Sequence, residues 1–192
     1  DMFVTDISSF DLMSSKAAAT REYPEKQYES APLGNTSEII KTYAPETVKS
    51  FMFAVLSVVF AKGKPIYFKL PCDDKQLSEE ALKLIGAFIS VIPFNMRENV
   101  SFVTYTTDVL QYPQMKIKAV SEAYLENNFS KGIFIDFCTD LVVGMPADDV
   151  IAKAPVNFFY SLLLEESIRD EFLLFMNDAV KAMPTLEKLN MK

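Results

Sequence analysis

The sequence predicts an α/β domain: a mixed sheet of about four to five strands flanked by helices, with a helical C-terminal tail. Residues 44–107 show helical and strand patterns in the order helix, strand, helix, strand, and they contain most of the apolar bulk. Residues 132–138, GIFIDFC, form another strand pattern, apolar enough to lie in the middle of a sheet. Strands that alternate with helices in this way favour a parallel or mixed sheet.

The first helix is predicted to begin at Pro45 and to end before Gly63, because proline suits the first turn of a helix and glycine the position after its end. Its apolar residues occur on nearly all sides, which is typical of a helix buried in a core or in a membrane. The apolar run is only about half of the 20 or so residues that a membrane span needs. We therefore predict a core helix and no membrane insertion.

Residues 66–70 alternate in the two-residue period of a strand. The second helix is predicted to use Ser78 as its N-cap and to close at Pro93. A short polar turn then leads to a strand at residues 100–106. Residues 115–120 alternate more loosely and place two lysines on one face, which predicts an edge strand guarded against unwanted pairing; these are Lys116 and Lys118.

The C-terminal tail shows three helical patterns. They are a short one at residues 146–153, one that starts at Pro155, and one capped by Ser167 and ended by Pro184. The last carries an apolar stripe of Ile168, Phe172, Phe175, Met176, Ala179 and Met183. If the helices leave their apolar faces exposed, those faces would be a surface for a partner.

Two regions follow from the change in composition along the chain. Residues 1–37 are predicted to be an N-terminal extension or linker, partly irregular, because residues 14–37 turn polar and contain two prolines. Residues 38–192 are predicted to be a single α/β domain with C-terminal helices. The chain begins at Asp1 without an initiator Met or a signal peptide, so we expect it to be part of a longer protein.

Composition excludes several classes of function. The chain has no histidine, which removes Ser-His and Cys-His nucleophile pairs and histidine metal ligands. Its 5 glycines are isolated, so it lacks a phosphate-binding glycine loop. A net charge of -7 makes a nucleic-acid partner unfavourable. Two distant cysteines suit a reducing compartment, and we expect buried free thiols and a cytoplasmic location.

The best catalytic candidates are Asp136 and Asp140, at the end of the GIFIDFC strand. Ligands of α/β enzymes gather at the carboxyl ends of strands. Two carboxylates there, with Asp148 or Asp149 as a third oxygen ligand, would suit a divalent metal. In the alternative interpretation, Asp136 caps a turn or pairs with a lysine. Cys138 as a nucleophile would need a lowered pKa and a base other than histidine. No other cofactor is predicted.

Two segments carry a family resemblance. The sequence IPFNMRENVSFVTYTTD, with Arg97 in its turn, and the preceding GKPIYFKLP strand resemble a segment of GTPase-associated proteins of bacterial conflict systems, over residues 51–107 or so. The resemblance implies a bacterial, intracellular, multidomain protein that works beside a GTPase. It carries over no active-site residue.

Two functions are favoured by the sequence, with a nucleotide-binding pseudo-enzyme as a third class. The first is a non-catalytic interaction or regulatory module of a larger bacterial intracellular protein, with a protein partner. It is favoured by the missing histidine, the missing phosphate loop and the apolar helix faces. The alternative is a metal-dependent hydrolase or phosphotransfer enzyme that uses Asp136 and Asp140. The partner, the substrate and the oligomeric state are not determined by the sequence.

Overall fold

The computed structural model describes residues 35–61, 63–121, 132–145 and 153–190. These residues form helices α1 (Thr36–Lys41), α2 (Pro45–Ala61), α3 (Asp74–Ser90), α4 (Lys153–Leu164) and α5 (Glu166–Asn190), a 3-10 helix (Phe94–Asn99), and strands β1 (Ile66–Lys69), β2 (Phe102–Thr106), β3 (Ile117–Val120), β4 (Ile133–Asp136) and β5 (Leu141–Val143). The predicted α/β class with a mixed sheet and helices at the C-terminus is confirmed. The predicted extension, residues 1–37, lies outside the described residues except for its last three.

The sheet of the described residues has the strand order β2-β3-β1-β4-β5. The first four strands in that order are parallel to their neighbours, and β5 pairs antiparallel with β4. Strand β4 has a neighbour on both sides and is buried throughout, which confirms the predicted mid-sheet position. The short edge strand β5 was not predicted, because a three-residue strand is too short for a clear alternation.

One face of the sheet packs against the helices. Alternate residues of β1, Ile66 and Phe68, point into this core and are fully buried. Phe51 of α2 lies at its centre, with ring centroids 5.1 Å from Phe68 and 4.8 Å from Phe88. Burial of one such aromatic side chain stabilises a fold by about 1.5–3 kcal/mol. Helix α2 is thus the core helix that its apolar sides predicted. Within the described part of the chain, every helix falls short of the length and hydropathy required to cross a bilayer.

The start of α3 differs from the prediction. The N-cap is Asp73, whose Oδ1 accepts a hydrogen bond of 3.0 Å from the backbone N–H of Gln76. Ser78, the predicted cap, lies within the helix, and its hydroxyl is 3.4 Å from that of Thr104 on β2. Asp73 satisfies a helix-terminal N–H and places negative charge at the positive end of the helix dipole, so it takes the cap.

Side chains of the 3-10 helix donate hydrogen bonds to backbone carbonyls at the ends of two α-helices. Arg97 Nε donates a 2.9 Å hydrogen bond to the carbonyl of Ile92, and a second guanidinium nitrogen lies 3.4 Å from the carbonyl of Ser90, at the end of α3. Asn99 Nδ2 donates to the carbonyl of Val59, in the last turn of α2, at 3.3 Å. Burial lowers the pKa of Arg97. The carbonyls of Ser90 and Val59 belong to the last turns of their helices, where acceptors have no partner within the helix.

The other face of the sheet carries a crossover without a helix. Strands β2 and β3 are parallel neighbours, yet only ten residues, 107–116, join them. Such connections usually need a dozen or more residues and a helix. Val109 of this link packs against the second-face cluster formed by Tyr67, Val120 and Phe134. The link therefore returns across the second face of the sheet.

The prediction that residues 115–120 form an edge strand is wrong. Strand β3 lies between β2 and β1, and Lys118 is only 2% exposed. Its Nζ donates hydrogen bonds to the carbonyls of Val109 and Gln111, at 2.6 and 2.7 Å. Burial lowers the pKa of Lys118, and the nearby Asp108 carboxylate opposes this effect. The lysine that was expected to guard an edge strand instead holds the crossover against the sheet.

The tail differs from the prediction at its boundaries. Helix α4 begins at Lys153, close to the predicted start at Pro155, and α5 begins at Glu166, so that Ser167 lies inside it. Helix α5 also continues past Pro184 to Asn190. The predicted short helix at residues 146–153 lies outside the described residues apart from Lys153. Helix α1, with Asn35 as its N-cap, was not predicted.

Candidate functional site

Asp136, the first predicted catalytic residue, lies at the carboxyl end of β4 and is 5% exposed. Both of its carboxylate oxygens accept hydrogen bonds within the turn that follows. Oδ1 accepts 2.7 Å from the backbone N–H of Cys138, and Oδ2 accepts 2.9 Å from the hydroxyl of Thr139. A carboxylate that bonds the N–H two residues ahead forms an Asx-turn, which is a structural role. The geometry matches the alternative interpretation, in which Asp136 caps a turn.

Asp140, the second candidate, is exposed at the end of the same turn. Its backbone is in the left-handed region, with a φ of 57°, which aspartate tolerates better than most residues. Its Oδ1 accepts a 2.7 Å hydrogen bond from the hydroxyl of Thr47, a buried residue in the first turn of α2. The carboxylate thus lies at the positive end of that helix dipole. It ties the β4–β5 turn to the core helix.

The third predicted metal ligand, Asp148, lies outside the described residues, as does Asp149. Among the residues with described positions, no three acidic or sulfur-bearing side chains converge as a metal site would require. The predicted divalent metal at Asp136 and Asp140 stays a prediction. The two carboxylates share one turn, and each has a protein hydrogen-bond donor of its own.

Cys138 has an environment that suppresses thiol reactivity. Both cysteines are free, as expected, but Cys138 is exposed as a residue and Cys72 is half-buried, so the expectation of buried thiols is wrong for Cys138. Partial burial of the sulfur, then a hydrogen bond to Asp136 and the charge of its carboxylate, raise the pKa of Cys138 to about 11. A nucleophilic cysteine needs the opposite shift.

The largest exposed apolar side chains of α5 provide a different kind of site. Leu174 is 64% exposed, Phe175 is 67% exposed and Ile168 is 40% exposed. Glu171 is exposed between them, and the spacings of three, four and seven residues place all four on one side of the helix. We call this set of four residues the α5 face. It is an exposed apolar helix face in the predicted tail, where such a face was expected to be a surface for a partner.

The α5 face is held in place by contacts of neighbouring residues on the same helix. Phe172 packs edge-to-face with Phe158 and Phe159 of α4, at centroid distances of 5.1 and 5.8 Å. Arg169 reaches the hydroxyl of Thr36 in α1 at 3.3 Å. Phe158 is itself 42% exposed, so apolar surface continues from α5 onto α4.

The predicted stripe of α5 located this surface only in part. Its central residues, Phe172, Met176 and Ala179, are half-buried, whereas Ile168 and Phe175 at its edge are exposed. Leu174 was missed because it lies off the stripe. An apolar residue off the packing stripe of an amphipathic helix is itself a signal of an exposed contact, and that signal was available.

A comparison with protein families gives one match. The family model described as GTPase-associated protein 1, middle domain, matches residues 36–139, which is more than half of the chain. The match spans α1 to the turn after β4 and contains the segment whose resemblance was predicted, so the resemblance to GTPase-associated proteins is confirmed. No curated protein and no solved structure matches the chain.

Proposed function

Because the chain belongs to the family of GTPase-associated protein 1 middle domains, we propose that it is a non-catalytic interaction module of a larger bacterial protein that works beside a GTPase inside the cell. The observation that carries the proposal is the family match over residues 36–139. The name of the family gives an association with a GTPase, and the partner of such a module is a protein.

The environments of the ionisable and nucleophilic side chains support a non-catalytic role. Asp136 and Asp140 each accept hydrogen bonds that shape a turn. The pKa of Cys138 is raised to about 11, so its thiol is protonated at neutral pH. Lys118 donates to two backbone carbonyls of the crossover. Each of these groups has a structural task that explains its position.

The proposal is tested by a binding measurement on purified proteins. The chain is immobilised, and a GTPase that co-purifies with the protein from its source cells is applied in the GDP state and with a non-hydrolysable GTP analogue. We expect saturable binding in at least one nucleotide state and no GTP hydrolysis by the chain alone. A GTPase of similar size from an unrelated locus is the control. Absence of binding in both states, or GTP turnover by the chain itself, would contradict the proposal.

A further inference from the structure

The helix segment around the α5 face combines exposed apolar side chains with an excess of negative charge. Residues 165–178 contain five carboxylates and a single cationic side chain. That cation, Arg169, already pairs with Glu166 at 3.6 Å and with Asp170 at 3.2 Å. Glu171 is exposed between Leu174 and Phe175 on one side and Ile168 on the other. The surface thus offers both an apolar contact and a net negative field.

The charge discriminates among occupants of this surface. A second copy of the chain would place carboxylates against carboxylates if the same faces met, and like charges at an interface cost several kcal/mol. An anionic lipid or nucleic-acid surface would be repelled in the same way. A wholly apolar partner would bury the charge of Glu171 without a counter-charge, which is also costly. A partner that carries both apolar and cationic side chains meets none of these objections.

We propose that the α5 face binds an amphipathic helix of a protein partner, with the apolar side of that helix on Leu174 and Phe175 and its lysine or arginine side chains against Glu171. An exposed helix face of this length accepts a second helix through residues spaced three and four apart. The inference rests on the proposed function, because it assigns the surface and the chemistry of the partner to the interaction module.

The test uses the whole chain and two designed helical peptides with identical leucines on one side. One peptide has lysines on its polar side and the other has glutamates. Binding is measured by fluorescence anisotropy. We expect the lysine peptide to bind, with an affinity that falls as salt screens the charges, and the glutamate peptide not to bind.

Variants locate the contact on the chain. The double substitution Leu174→Ser with Phe175→Ser is expected to weaken the binding of the lysine peptide by about tenfold or more. Aromatic anchors contribute much of the binding energy of such contacts. Glu171→Gln is expected to weaken it by a smaller factor. Leu110→Ser is the matched control, because Leu110 is 81% exposed but lies in the β2–β3 crossover. All of these side chains are exposed, and circular dichroism checks that each variant is folded.

Several outcomes would overturn the inference. One is equal binding of both peptides. Another is lysine-peptide binding that the double substitution leaves unchanged. A third is a dimer in sedimentation that the double substitution disperses, because a second copy would then cover the face. If the double variant still binds the GTPase, the surface is wrong but the proposed function stands. If the peptide result holds and the wild-type chain binds no GTPase, the proposed function fails and this surface remains.

Discussion

The ammonium group of Lys118 donates a 2.6 Å hydrogen bond to the backbone carbonyl of Val109, and so joins a buried strand to the middle of the crossover that feeds it. A second bond of 2.7 Å reaches the carbonyl of Gln111, and the ring centroid of Tyr67 lies 5.8 Å from the same nitrogen. Backbone turns within the crossover satisfy the carbonyls of Asp108 and Tyr112, and the lysine satisfies two more. Lys118 thus supplies hydrogen-bond donors to a crossover that has no helix.

Replacement of Lys118 by Met should destabilise the protein. The thioether fills a similar volume but leaves the carbonyls of Val109 and Gln111 without their charged donor, and a hydrogen bond to a charged group contributes about 1.5–3 kcal/mol. We expect a loss of roughly 2 kcal/mol or more in urea unfolding, together with faster amide exchange in residues 107–116. Lys64→Met is the control, because Lys64 is exposed. Equal stability of the two variants would show that the crossover is held by its apolar contacts alone.

Asp140 should tolerate Asn but not Ala. Asparagine also adopts the left-handed backbone and offers an oxygen to the hydroxyl of Thr47, so Asp140→Asn should retain most of the stability. Asp140→Ala strains the backbone and leaves a buried hydroxyl without its acceptor, so we expect a loss of about 1–3 kcal/mol. Thermal melts of both variants provide the comparison. A similar melting temperature for the Ala and Asn variants would show that the hydrogen bond from Thr47 does not stabilise the turn.

The thiol of Cys138 should react slowly despite its exposure. In a Cys72→Ser background, alkylation by iodoacetamide is expected to rise with pH toward a midpoint near the pKa of about 11, and not at the ordinary 9.0. Asp136→Asn removes the neighbouring charge and should shift the midpoint down. The raised pKa also makes stability depend on pH. The contribution of the neutral Cys138 thiol to the free energy of unfolding is complete below pH 9.0 and is lost as the pH rises through the pKa of about 11. A midpoint at 9.0 in both proteins would contradict the structure.

Divalent cations should leave the melting temperature unchanged. Both oxygens of Asp136 accept hydrogen bonds in the turn, and Asp140 accepts one from Thr47, so a cation would have to displace these donors. A metal that binds the native state would raise stability in proportion to the logarithm of its concentration over its dissociation constant. Melts with Mg²⁺ and with Mn²⁺ test this. A rise that disappears in Asp136→Asn would revive the metal-dependent enzyme.

The elements with dense apolar patterns were predictable from the sequence. Helix α2 is bounded by Pro45 and by a glycine two residues after its last residue. Strands β1 and β4 are apolar and pair with each other in the sheet. The N-cap of α3 could have been found: Asp73 with Gln76 three residues later has the form of a capping box, a better signal than Ser78.

The role of Lys118 could not be read from the chain. A lysine in an alternating strand is normally at an edge, and only the placement of β3 between β2 and β1 buries it. Asp140 poses the same difficulty, because its partner Thr47 is 93 residues away in the sequence. Carboxylates after an apolar strand suggest a catalytic site. The structural contacts of Asp136 are local, within its own turn, whereas the contact of Asp140 comes from a distant helix. The pattern of a sequence does not show which distant residue a polar side chain will bond.

The 3-10 helix at Phe94–Asn99 has a practical consequence for engineering. Because Arg97 contacts the last turn of α3 and Asn99 the last turn of α2, an insertion at this surface segment would break hydrogen bonds to the ends of two core helices. Tags, split points and circular permutation should therefore avoid it. A position on the outside of the domain is therefore not by itself a guide to where residues can be added.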